Sequence, residues 1–183
     1  MIAAENDLLR LVQAGLASRP DKFAVVVEAT SIGLHLGAKF LRYKKLKGAV
    51  PLPHPLETEQ PPTDEQGTVD FPPNSCLLAC SVEQIRMPLD CMGFIQTKGT
   101  IARGFVTVHL CDGQIDPGFV GCVTLELVNL SNIRYILKPG TAIAQLFVHR
   151  LTEPVKNSYS GRYQFSDGPT SMRNGPRQED SGS

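Results

Sequence analysis

The chain has 183 residues, 42% of them hydrophobic and 20% charged, and its 18 Lys plus Arg balance its 18 Asp plus Glu for a formal net charge of +0. That length carries one domain with a sizeable core and a tail. The charge balance argues against a nucleic-acid polymer as partner, and no apolar run approaches the ~18 residues of a membrane span.

In chain order, Glu5 to Leu16 reads as a short helix. Leu8, Leu9, Leu11, Val12 and Leu16 form its apolar stripe, and Asn6 or Asp7 stands ready to cap it. Phe23–Glu28 (FAVVVE) is a β-branched run that reads as a buried strand, and Ser31–Tyr43 reads as a second strand, broken at Gly37. Residues 47–74 are polar, rich in proline and without a sustained period, so they read as a long surface excursion. From Cys76 onwards, strand candidates follow closely: Leu77–Val82, Gly93–Thr97, Phe105–Leu110, Phe119–Asn129, Tyr135–Leu137 and Ile143–Arg150. Turn signals such as Asp116-Pro117-Gly118 and Lys138-Pro139-Gly140 separate them. This pattern is that of an antiparallel barrel or sandwich. Residues 1–156 form the domain, and 157–183, rich in Gly, Ser and charge, read as a mobile tail.

The chemistry-bearing motifs are few. The five cysteines are odd in number and lack a C-x-x-C pair, so neither a disulfide framework nor a zinc ribbon is expected. With no basic segment ahead of a long apolar run at the start, a reducing cytoplasm is the expected setting. The H-x-E and P-C-x-x-C signature of zinc deaminases is absent, as are a Walker A loop and a dinucleotide fingerprint. His35, His54, His109 and His149 are scattered and read as structural or surface histidines.

Three places leave two readings each. The run KGTIARG (98–104) is either a hairpin turn with surface charges or a phosphate cradle. The run from Tyr159 to Arg173 is either simple disorder or a lid with stacking Tyr and phosphate-binding Arg. On Phe119–Asn129, Val123, Leu125 and Leu127 alternate with Thr124 and Glu126, so Glu126 faces either water or a pocket.

Taken together, these blocks resemble the dCTP deaminase branch of the dCTP deaminase/dUTPase superfamily. KGTIARG (98–104) is similar to the family's R-S-S-x-x-R-x-G, and IDPGFVGCVTLELVN (115–129) to its I-D-P-G-[WF]-x-G-x-[IV]-x-L-E-[FL]-x-N. KPGTAIAQLFV (138–148) and YSGRYQFSDGPT (159–170) resemble its later strand and its tail, and ATSIGLHLG (29–37) and SCLLACSVEQIRMP (75–88) its earlier strands.

The resemblance implies a mainly β, distorted antiparallel β-barrel of the dUTPase type, with a short N-terminal helix and a flexible C-terminal tail. It implies a homotrimer with sites between subunits, acting on dCTP or dUTP. The implied reaction is zinc-free deamination of dCTP to dUTP, possible continuation to dUMP included, with Mg²⁺ riding on the triphosphate and no resident metal. Glu126 would be the general base and Arg103 the second catalytic residue. Lys98, Thr100 and Arg103 would serve phosphates and water. Asp116 and Phe119 would floor the sugar, and Tyr159, Arg162 and Gln164 would form the lid. The departures from the pattern are Gly99 for the first family Ser, Thr100 for the second, Asp112 for a small residue, Arg162 for Lys and Ser166 for Gln. Gly99 and Asp112 keep two alternatives open: a catalytically weakened nucleotide-binding or regulatory protein, and a dUTPase-type pyrophosphatase.

Overall fold

A computed structural model describes residues 1–173. One helix, α1 (Glu5–Gln13), precedes the strands β1 (Ala17–Ser18), β2 (Ile32–Tyr43), β3 (Thr58–Glu59), β4 (Val69–Phe71), β5 (Cys76–Arg86) and β6 (Cys91–Thr97). A single helical turn, α2 (Gly99–Ala102), leads into β7 (Val106–Thr107), β8 (Gln114–Ile115), β9 (Val120–Asn129), β10 (Tyr135–Leu137) and β11 (Ala142–Arg150). The main sheet has the order β7-β9-β5-β2-β11-β6-β8, with β1 on β5 and β3 on β2, and β4 pairs with β10 in a second small sheet. The named strand pairs are all antiparallel, and the sheet curls into a half-barrel. The mainly β, barrel-like fold expected from the sequence is the one found.

The core follows from period-2 alternation. Ile32, Leu34 and Leu36 of β2 are buried, as are Leu125 and Leu127 of β9 and Leu146 and Val148 of β11. Leu8 and Leu11 of α1 close one side of this core, together with Leu16.

Several local expectations are corrected. Phe23–Glu28 is not a buried strand. Phe23 and Val26 are exposed, and the segment hooks back on β2 through the bonds Gly33 N to Val26 O and Glu28 N to Ser31 O. Its β-branched residues have the propensity of a strand, but the contact with β2 amounts to a single bridge, Val27 to Ile32, and no extended strand forms. β2 is not broken at Gly37. The strand runs through, and its register against β5 shifts between Leu36 and Phe40. Gly37 sits in that shift because a β-carbon there would lie 2.8 Å from the Cys80 carbonyl oxygen. α1 stops at Gln13, its N-cap is Ala4, and no side chain caps it. The excursion of residues 47–74 is not all surface: Val69 and Phe71 are fully buried, and β4 pairs with Tyr135–Leu137. Three residues between prolines are too few to show a period. The strand at Phe105–Leu110 shrinks to Val106–Thr107, since Phe105 sits in the left-handed region at φ 55°.

Asp7 does other work than capping. Arg150 of β11 donates to both its carboxylate oxygens (3.0 and 2.7 Å) and to Asp90 at 2.7 Å. One guanidinium thus ties α1, the end of β11 and the turn before β6. The hydrogen bonds from Arg150 hold the Asp7 carboxyl below its ordinary value of 3.8. A carboxyl with a depressed folded-state pKa contributes stability that is complete above the unfolded value and is lost as pH falls through the folded one. Replacing Arg150→Met should cost about 1–2 kcal/mol at neutral pH, an amount suited to a partly solvated bidentate pair. The gap between wild type and variant should narrow as denaturation is repeated from about pH 6 down to pH 3. A gap independent of pH would show that packing, not charge, is what Arg150 supplies.

Candidate active site beside strand β9

The two faces of β9 have different fates. Val123, Leu125 and Leu127 enter the core, while Thr124 and Glu126 turn to a cavity of about 270 Å³. Register sets Leu78 and Cys80 of β5 opposite Glu126 and Thr124. Glu126 therefore projects from the middle of a paired strand, a stiff support.

The loop before β8 wraps this carboxylate. The backbone amides of Cys111 and Asp112 donate to Glu126 Oε2 at 3.0 and 3.4 Å. Among the described residues nothing bonds the other oxygen, Oε1. The same loop runs beside His109, whose buried ring nitrogen Nδ1 has no hydrogen-bond partner among the described residues. His109 does not itself line the cavity. It is a partly buried histidine joined to Glu126 by a backbone bridge, the structural one of the two readings the sequence allowed.

Asp116 and Phe119 both line the cavity. Asp116 opens the Asp-Pro-Gly turn and accepts from the Gln114 side chain at 2.6 Å. Gly118 holds φ 86°, and any side chain there would run into Ser158 and stand 2.9 Å from the Tyr159 amide. Phe119 faces Tyr159 across 6.0 Å between ring centroids. The Tyr159 phenol is pushed up mainly by burial, with the negative charges of Asp116 and Asp112 adding to the rise.

The tail from residue 157 lies along the edge of β9 that β7 leaves uncovered. Phe165 N donates to Val120 O and Cys122 N to Ser166 O. Gln164 fastens it: Oε1 accepts from Val120 N at 2.8 Å, and Nε2 donates to the Gly118 and Tyr159 carbonyls. Thr170 bonds Thr124, and Met172 N donates to the Tyr43 hydroxyl. Residues 157–173 of the expected mobile tail are therefore laid across the cavity, and its last part, 174–183, lies outside the described residues.

The remaining expected site residues lie apart. Lys98, Thr100, Arg103, Arg162 and Gln164 do not line the cavity. Lys98 is in an ion pair with Glu28 at 2.8 Å, and Glu28 is also bonded by Gln145 and Ser31. Arg103 bends back to the Gly99 carbonyl at 2.9 Å, and Thr100 is exposed on α2, so KGTIARG is a helical turn and not a hairpin. Arg162 donates to the Arg173 carbonyl, and Arg173 returns the bond. Sequence reasoning missed Tyr43, Thr124 and Thr170 as parts of the site. Thr124 carried a signal, its alternation with Glu126, whereas Tyr43 arrives only because β2 crosses β5. Among the described residues no three His, Cys, Asp or Glu side chains converge as metal ligands. No helix among them is long and apolar enough to cross a membrane.

One close approach between the tail and β9 leaves no room for a side chain. A β-carbon on Gly121, which holds φ 148°, would lie 2.8 Å from the Ser166 amide nitrogen. Gly121→Ala should therefore lift the tail. Limited trypsin digestion should then cut faster after Lys156 and Arg162, while the core melts within a few degrees of wild type. Unchanged cleavage would mean the tail is not held at Gly121.

Comparisons with known proteins identify the family. A family model described as dCTP deaminase-like matches residues 2–151. A dCTP deaminase of Halorubrum lacusprofundi is 30% identical, over 96% of this chain and 92% of its own length. A protein of Halobacterium salinarum named dCTP deaminase, dUMP-forming, is 32% identical over 94% of both chains. A 2'-deoxycytidine 5'-triphosphate deaminase of Agrobacterium tumefaciens shares the fold, with a TM-score of 0.63 at 15% identity over 81% of this chain and 47% of that one. With most of its length matched by the family model and by relatives of this identity, the chain belongs to the dCTP deaminase-like family.

Proposed function

We propose that this protein deaminates dCTP to dUTP, with Glu126 as general base. The observation that carries the reading is the Glu126 carboxylate, fixed at Oε2 by two backbone amides inside a tail-covered cavity. Fixing one oxygen orients the other towards a substrate and limits its loss of freedom in the reaction. Glu126 takes a proton from water as the hydroxyl adds to C4 of the cytosine, and it delivers that proton to N3. A second proton, from the added hydroxyl, passes to the 4-amino nitrogen. The C–N bond then breaks, ammonia leaves, and a carbonyl remains at C4. Phe119 and Tyr159 shield the ring from bulk water. Mg²⁺ belongs to the substrate in this scheme, neutralising the triphosphate.

The active unit is a homotrimer whose neighbouring copy completes the site. A triphosphate needs cations, and the cavity is lined by Asp112, Asp116 and Glu126 with no Lys or Arg among its described residues. Lys98, Thr100 and Arg103 sit on another part of the chain and serve the phosphates of a neighbour's site. Beside them Phe105, Leu130, Ile133 and Ile136 are each more than half exposed, an apolar surface suited to a second copy. The cavity rim would bind the sugar through Asp116 and Phe119. Tyr159 covers the nucleotide, and Arg162 adds charge near its phosphates. Gln164 holds the closed tail rather than the nucleotide. The setting is cytoplasmic, in keeping with five free thiols.

Gly99 supports a second reading, a nucleotide-binding protein without turnover, because no hydroxyl stands beside Lys98 to hold water. A side chain at Gly99 would meet only the tip of Arg103, at 3.1 Å, so Gly99→Ser should fold. Incubation with dCTP, dUTP and Mg²⁺, resolved by chromatography, should yield dUTP or dUMP and ammonia from dCTP. Product from dUTP alone would instead identify a pyrophosphatase. Glu126→Gln should abolish turnover, by about a thousandfold or more, and still bind dCTP, whereas normal turnover would sink the assignment. Strong activity appearing only in Gly99→Ser would identify the natural chain as the binder.

A further inference from the structure

A second carboxylate stands beside Glu126. Asp112 lines the same cavity, and its own amide is one of the two that hold Glu126. Its Oδ1 accepts from the Gln114 amide at 3.1 Å, which fixes the side chain against its own turn. No donor among the described residues bonds Oδ2. Asp112 shares the cavity lining with Asp116 and Tyr159, so its carboxylate, though exposed, borders the space a ligand would fill.

A carboxylate only accepts hydrogen bonds. Cytosine and uracil differ in the group at position 4, an amino donor in the first and a carbonyl acceptor in the second. Under the deaminase reading, on which this rests, Glu126 serves N3 and the attacking water. The neighbouring carboxylate then falls to the substituent at position 4. An amino group there finds an acceptor, whereas a carbonyl oxygen meets a negative charge and leaves it unpaired.

We infer that Asp112 is a specificity-determining residue: its carboxylate selects the amino-bearing pyrimidine nucleotide and turns away the keto-bearing product. Because Asp112 is exposed in this chain, the discrimination is moderate, about tenfold, rather than the far larger ratios of a fully desolvated site. The same charge hastens release of dUTP once ammonia has gone.

The test is equilibrium binding of dCTP and of dUTP, by calorimetry with Mg²⁺, in Glu126→Gln protein so that nothing turns over. With Asp112 present, dCTP should bind about ten times more tightly than dUTP. Asp112→Asn, which adds an amide donor of the same size, should bring the two to parity or reverse them. Asp112→Ala should fall between. An affinity ratio unchanged in both variants would overturn the inference while leaving the deaminase reading intact. If neither nucleotide binds any of these proteins, the functional reading fails, and the inference with it.

Discussion

Strand β9 is the constraint on which the structure depends. Its buried face supplies Val123, Leu125 and Leu127 to the core, and its outer face supplies Thr124 and Glu126 to the cavity. A one-residue slip would exchange the two faces and bury a carboxylate among leucines. Register is therefore fixed by hydrophobic burial, and the position of Glu126 follows from it. Its two edges are used as well. β5 takes one, and β7 and the tail divide the other between them. Core, cavity carboxylate and the docking edge of the tail thus share one ten-residue strand.

The electrostatics of the cavity then decide what it can hold. Three carboxylates around one pocket suit a ligand that presents donors there, and they oppose an anion unless cations are brought from elsewhere. A nucleoside triphosphate meets both demands at different ends, with an amino-bearing base inward and phosphates outward. Under the proposed function, Lys98 and Arg103, which flank α2 and lie apart from the cavity in a single chain, would meet the phosphates in a site completed by a second copy. Likewise Asp112, which adds charge to the base end, would bear on which base is accepted.

Much of this was legible in the sequence, for physical reasons. The alternation in β9 marked its two faces but left Glu126 facing either water or a pocket; the resemblance alone grouped it with Asp116 and Phe119, and all three line the cavity. What the sequence hid was non-local. Lys98 reads as a free cation, but Glu28 holds it from another part of the chain. Gln164 reads as a ligand-binding amide, yet its donors and acceptor are spent on the backbone around Gly118 and Val120. Tyr43 joins the site only through strand order. Phe23–Glu28 shows the converse error, in which strong local propensity yields only a single bridge to β2 and no extended strand. Val69 and Phe71 show how a short buried strand disappears among prolines.

The most direct test of the shared site is complementation between two inactive variants, Glu126→Gln and Arg103→Ala. Each alone should lack deaminase activity. Co-expressed and purified as mixed assemblies through two different tags, they should recover part of it, because some sites then combine an intact Glu126 from one copy with an intact Arg103 from its neighbour. Mixed assemblies as inactive as the parents would contradict a site built across two chains.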